Sequence, residues 1–188
     1  MKVRKTAIPD VLILSPDIFR DERGFLVETY QKSRFEALSI GPFVQENQSG
    51  SQQGTLRGLH YQIRHAQGKL VRVLKGEILD VAVDLRRYAS TFGQWIAEPL
   101  KADTMAQMWI PPGFAHGFLV LSEWAEVEYK LTDVYAPEWQ RTVRWDDPRL
   151  NIRWGLHAEQ SPLLSERDQS GRAFEDAEVY TSVGSLES

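Results

Sequence analysis

Hydrophobic and polar residues alternate along much of the chain, and the alternation has the period of strands. In "KLVRVLKGEILDVAVDLR" (69–86), Lys69, Val71 and Val73 share one face. After the turn-like "LKGE", Leu79, Val81, Val83 and Leu85 share a face, with Asp80 and Asp84 opposite. The stretch reads as a half-buried antiparallel hairpin. "FLVETY" (25–30), which follows the turn-like "RDERG", continues the pattern, as do "GQWIAEPL" (93–100), "QMWIP" (107–111), "GFLVLSE" (117–123) and "AEVEYKLTDVY" (125–135). Turn signals recur about every eight to twelve residues, which favours a sandwich or barrel. Helical signals are few. "QKSRFEAL" (31–38) places Phe35 and Leu38 on one side, and "SPLLSERDQSG" (161–171) offers Ser161 as N-cap with Pro162 in the first turn. The last ten residues, 179–188, read as a loose tail. The expected fold is all-β: one domain over 1–188, an antiparallel jelly-roll barrel with a few short helices. Such barrels enclose a pocket, so polar residues that face inward carry the functional question.

Composition narrows the classes. The 188 residues hold 22 Lys and Arg against 26 Asp and Glu, a net charge of -4. A basic nucleic-acid face is not indicated, although a few local arginines suffice for a small anionic ligand. There is no cysteine, which removes disulfides and thiolate chemistry. Near the N-terminus the apolar run is only "VLIL", lying between prolines. It is too short for a signal peptide or membrane span. A cytoplasmic protein without membrane partners is the expectation.

"GTLRGLHYQ" (54–62) poses the first chemical question. Arg57 and His60 are three apart, so a regular strand would send them to opposite faces. A bulge at Gly58 would add a residue and turn both into one cavity, in the company of Gln62 and Lys69. A regular ladder through 56–62 would contradict this. In "WIPPGFAHGFLVL" (109–121) a rigid Pro-Pro-Gly turn leads into His116, and this pattern resembles the second motif of the cupin barrels. The paired histidine of metal-binding cupins is missing after His60, where Tyr61 and Gln62 stand. No metal is therefore expected. Tyr129 shares the apolar face of its strand with Val127 and Leu131, as core tyrosines do. Asp168, taken alone, is a solvated helix charge.

"AIPDVLIL", "DERGFLVE", "QEN", "LRGLHYQ", "GKLVRV", "GEILDVAVDLR", "STFGQW", "IPPGFAHGF" and "EYKLTDVYAP" occur in this order. Together, from about residue 5 to 170, they closely resemble the dTDP-4-dehydrorhamnose 3,5-epimerases, a family with the cupin fold. The resemblance implies epimerisation of dTDP-4-keto-6-deoxy-D-glucose at C3 and C5, without cofactor or metal. By resemblance His60 is the base, Asp168 the carboxylate that orients it, Tyr129 the acid on the opposite sugar face, and Lys69 the cation near the C4 oxygen. The nucleotide end falls to Arg23, Glu28, Gln45, Asn47, Arg57 and His116, with Tyr135 stacking on thymine. The family's homodimer exchanges N-terminal segments, which makes Arg23 and Glu28 the residues borrowed by a neighbour. Two positions depart from many relatives: Gln140 stands where Glu is common, and Arg167 where Lys is common. Both belong with the nucleotide contacts, not with base, acid or lysine. Other readings left open are an epimerase of one centre only, a 3,4-ketoisomerase, and a non-catalytic nucleotide-sugar-binding cupin.

Overall fold

In the computed structural model, which describes residues 1–157 and 160–186, the stretch 69–86 is not a hairpin. Its two halves are strands of different sheets. The described strands are β1 (Lys2–Lys5), β2 (Leu12–Ser15), β3 (Ile18–Asp21), β4 (Gly24–Val27), β5 (Gln45–Gln52), β6 (Leu56–Gln62) and β7 (Lys69–Lys75). They continue as β8 (Glu77–Asp84), β9 (Trp95–Lys101), β10 (Gln107–Ile110), β11 (Phe114–Val120), β12 (Trp124–Leu131) and β13 (Gln140–Thr142). The α-helices are α1 (Lys32–Glu36) and α2 (Glu166–Gln169). One sheet runs β1-β2-β10-β7-β12-β5 and the other β13-β6-β11-β8-β9, while β3 and β4 pair only with each other. The strand pairs are antiparallel, as expected of a jelly roll.

Gly76 is what lets β7 and β8 part. Its φ of +79° lies in the left-handed region, and a Cβ there would collide with the Trp124 carbonyl and Ser122 Oγ. The chain turns tightly and enters the second sheet. Each strand then buries both faces, against the expectation of one wet face. Val71, Val73, Ile78, Ala82, Phe118 and Val127 fill the space between the sheets. The opposite face of β8, Val81 and Val83, lies under Val143, Leu150, Trp154 and Tyr180 of the C-terminal segment. Behind the larger sheet, Leu70 and Trp109 pack on Phe35 and Ile40, so α1 caps that face. Asp80 and Asp84 thus sit inside the barrel fully buried. Asp84 is held by the Arg86 guanidinium and by Thr91 Oγ1.

The tail begins later than expected. Tyr180 is 1% exposed, bridges to Arg86, and donates its hydroxyl to the Gln62 carbonyl. Residues 187 and 188 lie outside the described residues. The second helix is also shorter than read. Leu163 is bonded into the sheet edge at Gly54 and Leu56, so Ser161 cannot start a helix. Ser165 is the N-cap instead, its side chain accepting from the Asp168 N–H.

Tyr180→Ala should cost about 3–5 kcal/mol of unfolding free energy, the usual toll of emptying a buried aromatic site. Denaturant unfolding measures this, and a variant as stable as the parent would show that the segment is not anchored here.

Candidate active site

A cavity of about 390 Å³ lies between the two sheets. Its walls come from both. From the five-stranded sheet β6 contributes Arg57 and His60, and β11 contributes His116 and Phe118. From the six-stranded sheet come Gln45 and Asn47 of β5, Lys69 of β7 and Tyr129 of β12. Tyr135, Gln140 and Arg167 also line it.

The bulge expected in β6 is present. His116 lies opposite His60 and Phe118 opposite Arg57, so two steps on β11 face three on β6. The extra residue puts Arg57 and His60 on the same side. Gly58 has φ +130°, and a Cβ on it would press on the backbone of Gly117 and come within 2.8 Å of the His116 carbonyl. Only glycine fits where the strands approach this closely.

Behind His60 stands Asp168, 3% exposed. The imidazole Nε2 and Asp168 Oδ1 are 2.6 Å apart. Ser165 Oγ donates to Oδ2 at 2.6 Å, and the Gly58 N–H donates to Oδ1 at 3.3 Å. Burial pushes the carboxyl upward, but these hydrogen bonds win and hold it below the ordinary aspartate value. With Nε2–H committed to the carboxylate, a neutral ring carries its lone pair on Nδ1. Among the described residues Nδ1 has no hydrogen-bond partner. Burial lowers the imidazole below its ordinary value, although Asp168 opposes this. The ring is therefore a neutral base near pH 7.

Lys69 is 8% exposed and donates to the His60 carbonyl at 3.2 Å. Burial drives its ammonium down to about 8, with Asp80 opposing. At the mouth, Gln140 Oε1 accepts from both the Tyr135 hydroxyl (2.6 Å) and Arg167 Nη1 (2.8 Å). The Gln45 amide donates to Asn47 Oδ1 and accepts from the Tyr135 N–H. A base, a cation and a phenol thus surround one space, with arginines and amides leading outward from it.

A family model described as dTDP-4-dehydrorhamnose 3,5-epimerase matches residues 5–176. The chain belongs to this family. The dTDP-4-dehydrorhamnose 3,5-epimerase of Pseudomonas aeruginosa is 56% identical over 182 residues, covering 96% of this chain and 99% of that one. The Legionella pneumophila 3,5-epimerase, solved in complex with dTDP-4-keto-L-rhamnose, superposes with a TM-score of 0.92 at 44% identity, covering 96% of this chain and 98% of that one. A 3'-monoepimerase from Streptomyces bikiniensis, solved with dTDP-quinovose, gives 0.86 at 32% identity, covering 94% and 92%.

Of the residues that the family resemblance singles out, Gln45, Asn47, Arg57, His60, Lys69, His116, Tyr129, Tyr135, Gln140 and Arg167 line the cavity, and Asp168 backs it. Arg23 and Glu28 do not reach it within this chain. Arg23 pairs with Asp21 on the β3–β4 turn, and Glu28 with Arg34, both in solvent. Sequence reasoning missed Gln67, Phe118 and Ser165. Phe118 follows His116 by the strand period and was readable. Ser165 three before Asp168 has the spacing of a helix-capping pair. Gln67 carries no signal. Among the described residues no group of three or more His, Cys, Asp and Glu could hold a metal ion, and no helix is long and apolar enough to cross a membrane.

An NMR titration of the His60 ring should give a midpoint below the usual imidazole value of about 6.5. Asp168→Asn should lower it further by removing the carboxylate that favours the cation. A midpoint above the usual value would contradict the burial argument.

Proposed function

We propose that this chain carries out its family's reaction with His60 as base and Tyr129 as acid. It epimerises C3 and C5 of dTDP-4-keto-6-deoxy-D-glucose to give dTDP-4-keto-L-rhamnose. The observation that carries the assignment is the placement of His60, backed by Asp168 of α2, on one sheet and of Tyr129 on the other, across a single cavity.

Both carbons flank the C4 ketone, which makes their hydrogens acidic. His60 takes a proton through Nδ1, and the electron pair of the C–H bond moves into an enolate. Asp168 stabilises the imidazolium that results. The Lys69 ammonium faces the enolate oxygen and offsets its charge in a site of low polarity. Tyr129 then delivers a proton to the opposite face of the same carbon, and the centre is inverted. The second carbon shares the same carbonyl, so one lysine serves both enolates once His60 has released its proton to water and Tyr129 has regained one.

Arg57 and His116, and Arg167 at the mouth, suit the diphosphate. Gln45 and Asn47 present amides to the polar edge of thymine, and Tyr135, 45% exposed beside them, offers a ring for the base to stack on. Arg23 and Glu28 complete the site from a second copy of the chain in a homodimer. The β3–β4 hairpin supports this reading: Phe19, Phe25 and Leu26 are 66%, 57% and 71% exposed, a large apolar surface for so short a hairpin.

His60→Ala should abolish turnover, and Tyr129→Phe should slow product formation about 100-fold or more, as measured by coupling to a 4-keto reductase with NADPH. Full activity in either variant would refute the roles. Rhamnose formation requires both centres inverted, whereas a single inversion would mark an activity like that named for the Streptomyces bikiniensis relative. The pH profile of kcat/KM should rise below the usual imidazole value, as His60 loses its proton, and fall near 8, as Lys69 does.

The dimer has its own test. Arg23→Ala and His60→Ala proteins, each defective alone, should regain activity when unfolded and refolded together, because a mixed dimer holds one site with both residues intact. Absence of any recovery would place Arg23 in its own chain's site.

A further inference from the structure

Among the described buried carboxylates that the reaction does not use, Asp80 is the one with an unpartnered oxygen. Asp80 lies on the inner face of β8 between Ile78 and Ala82 and is 0% exposed. Its Oδ1 accepts from His116 Nε2 at 2.7 Å. Among the described residues its Oδ2 has no hydrogen-bond partner. A half-satisfied carboxylate in an apolar layer is costly, and apolar neighbours on both sides show what the fold alone would put there. We propose that Asp80 is a positioning residue for the epimerisation, turning Nδ1 of His116 into the cavity. The proposal rests on the epimerase reading above.

The geometry of His116 and the electrostatics of Lys69 support it. His116 lines the cavity through a ring whose Nε2 is tied to Asp80, so the opposite edge, Nδ1, is the one offered to ligand. Among the described residues Nδ1 of His116 has no partner. Lys69, for its part, makes no ion pair among the described residues, although it is nearly fully buried. The other titratable or charged side chains that share its cavity are Arg57, His60 and Tyr61 of β6, His116 of β11, Tyr129 of β12, and Tyr135 and Arg167 at the mouth. None of them is a carboxylate. Asp168 lies behind His60 and is engaged by it, by Ser165 and by Gly58. Asp80 is the acidic group that opposes the effect of burial on the lysine.

Asp80→Asn keeps the shape and the Oδ1 acceptor but removes the charge. It should lower kcat/KM about 10- to 100-fold, the size of effect expected when a buried hydrogen bond to a charged group loses its charge. It should also move the alkaline limb of the pH profile to lower pH, because Lys69 then loses its proton more easily. A purely structural role would leave that limb in place. A folded Asp80→Asn protein with the parent's kcat/KM and alkaline limb would overturn the proposal. Parent protein run in parallel separates the two readings, since an inactive parent would sink the epimerase assignment itself. If the variant does not fold, ¹⁵N NMR of the parent decides. The His116 ring should be protonated on Nε2 and show its Nδ1 signal shift on adding dTDP. A ring protonated only on Nδ1, or one indifferent to dTDP, would count against it.

Discussion

The hydrogen bond between His60 and Asp168 joins residues 108 positions apart, and much of the molecule is arranged to keep it. A carboxylate buried this deeply is tolerable only while it is paired; breaking such a pair costs about 3–5 kcal/mol. Its partners come from separate parts of the chain. The bulge at Gly58 supplies an N–H and turns the ring inward. The short helix α2, capped by Ser165, delivers the carboxylate. The C-terminal segment that carries α2 is tied to the barrel by bridges at Thr55–Leu163, Val143–Arg172 and Arg86–Tyr180. That segment is also the cover of the outer apolar face of the five-stranded sheet. Folding of the C-terminal quarter and formation of the His60–Asp168 pair are therefore linked.

The two-sheet architecture supplies the second requirement. Inversion at carbon needs a proton acceptor and a proton donor on opposite faces of the same atom. A single sheet cannot provide both, whereas two sheets facing one cavity do so without strain. Lys69 and Tyr129 descend from neighbouring strands of one wall, and His60, His116 and Asp80 from neighbouring strands of the other. Burial sets the protonation of this group in a consistent sense. It keeps His60 neutral and brings Lys69 to about 8, still mostly charged at neutral pH.

Much of this was legible in the sequence. The strand period identified β7 to β12 closely, and the odd spacing of Arg57 and His60 around a glycine foretold the bulge. What alternation cannot convey is the partner of a strand. The run 69–86 has the pattern of a hairpin, and nothing local says that Gly76 sends its halves into different sheets. Nor does alternation reveal which face is wet, so Asp80 and Asp84 read as solvated when they are the interior ones. Asp168 was opaque for the same reason: its burial is created by a strand 108 residues earlier. Ser161 and Ser165 are equally good caps by composition, and only the pairing of Leu163 with the sheet edge selects the second. Arg23 and Glu28 sit on an exposed hairpin, and family resemblance alone drew attention to them.

The most direct test of the account is proton NMR of dTDP-4-keto-6-deoxy-D-glucose incubated with the protein in D2O. A base and an acid on opposite walls beside one carbonyl predict deuterium at both C3 and C5, with both centres inverted, and no incorporation with His60→Ala. Deuterium at one carbon only, or unchanged exchange without His60, would contradict it.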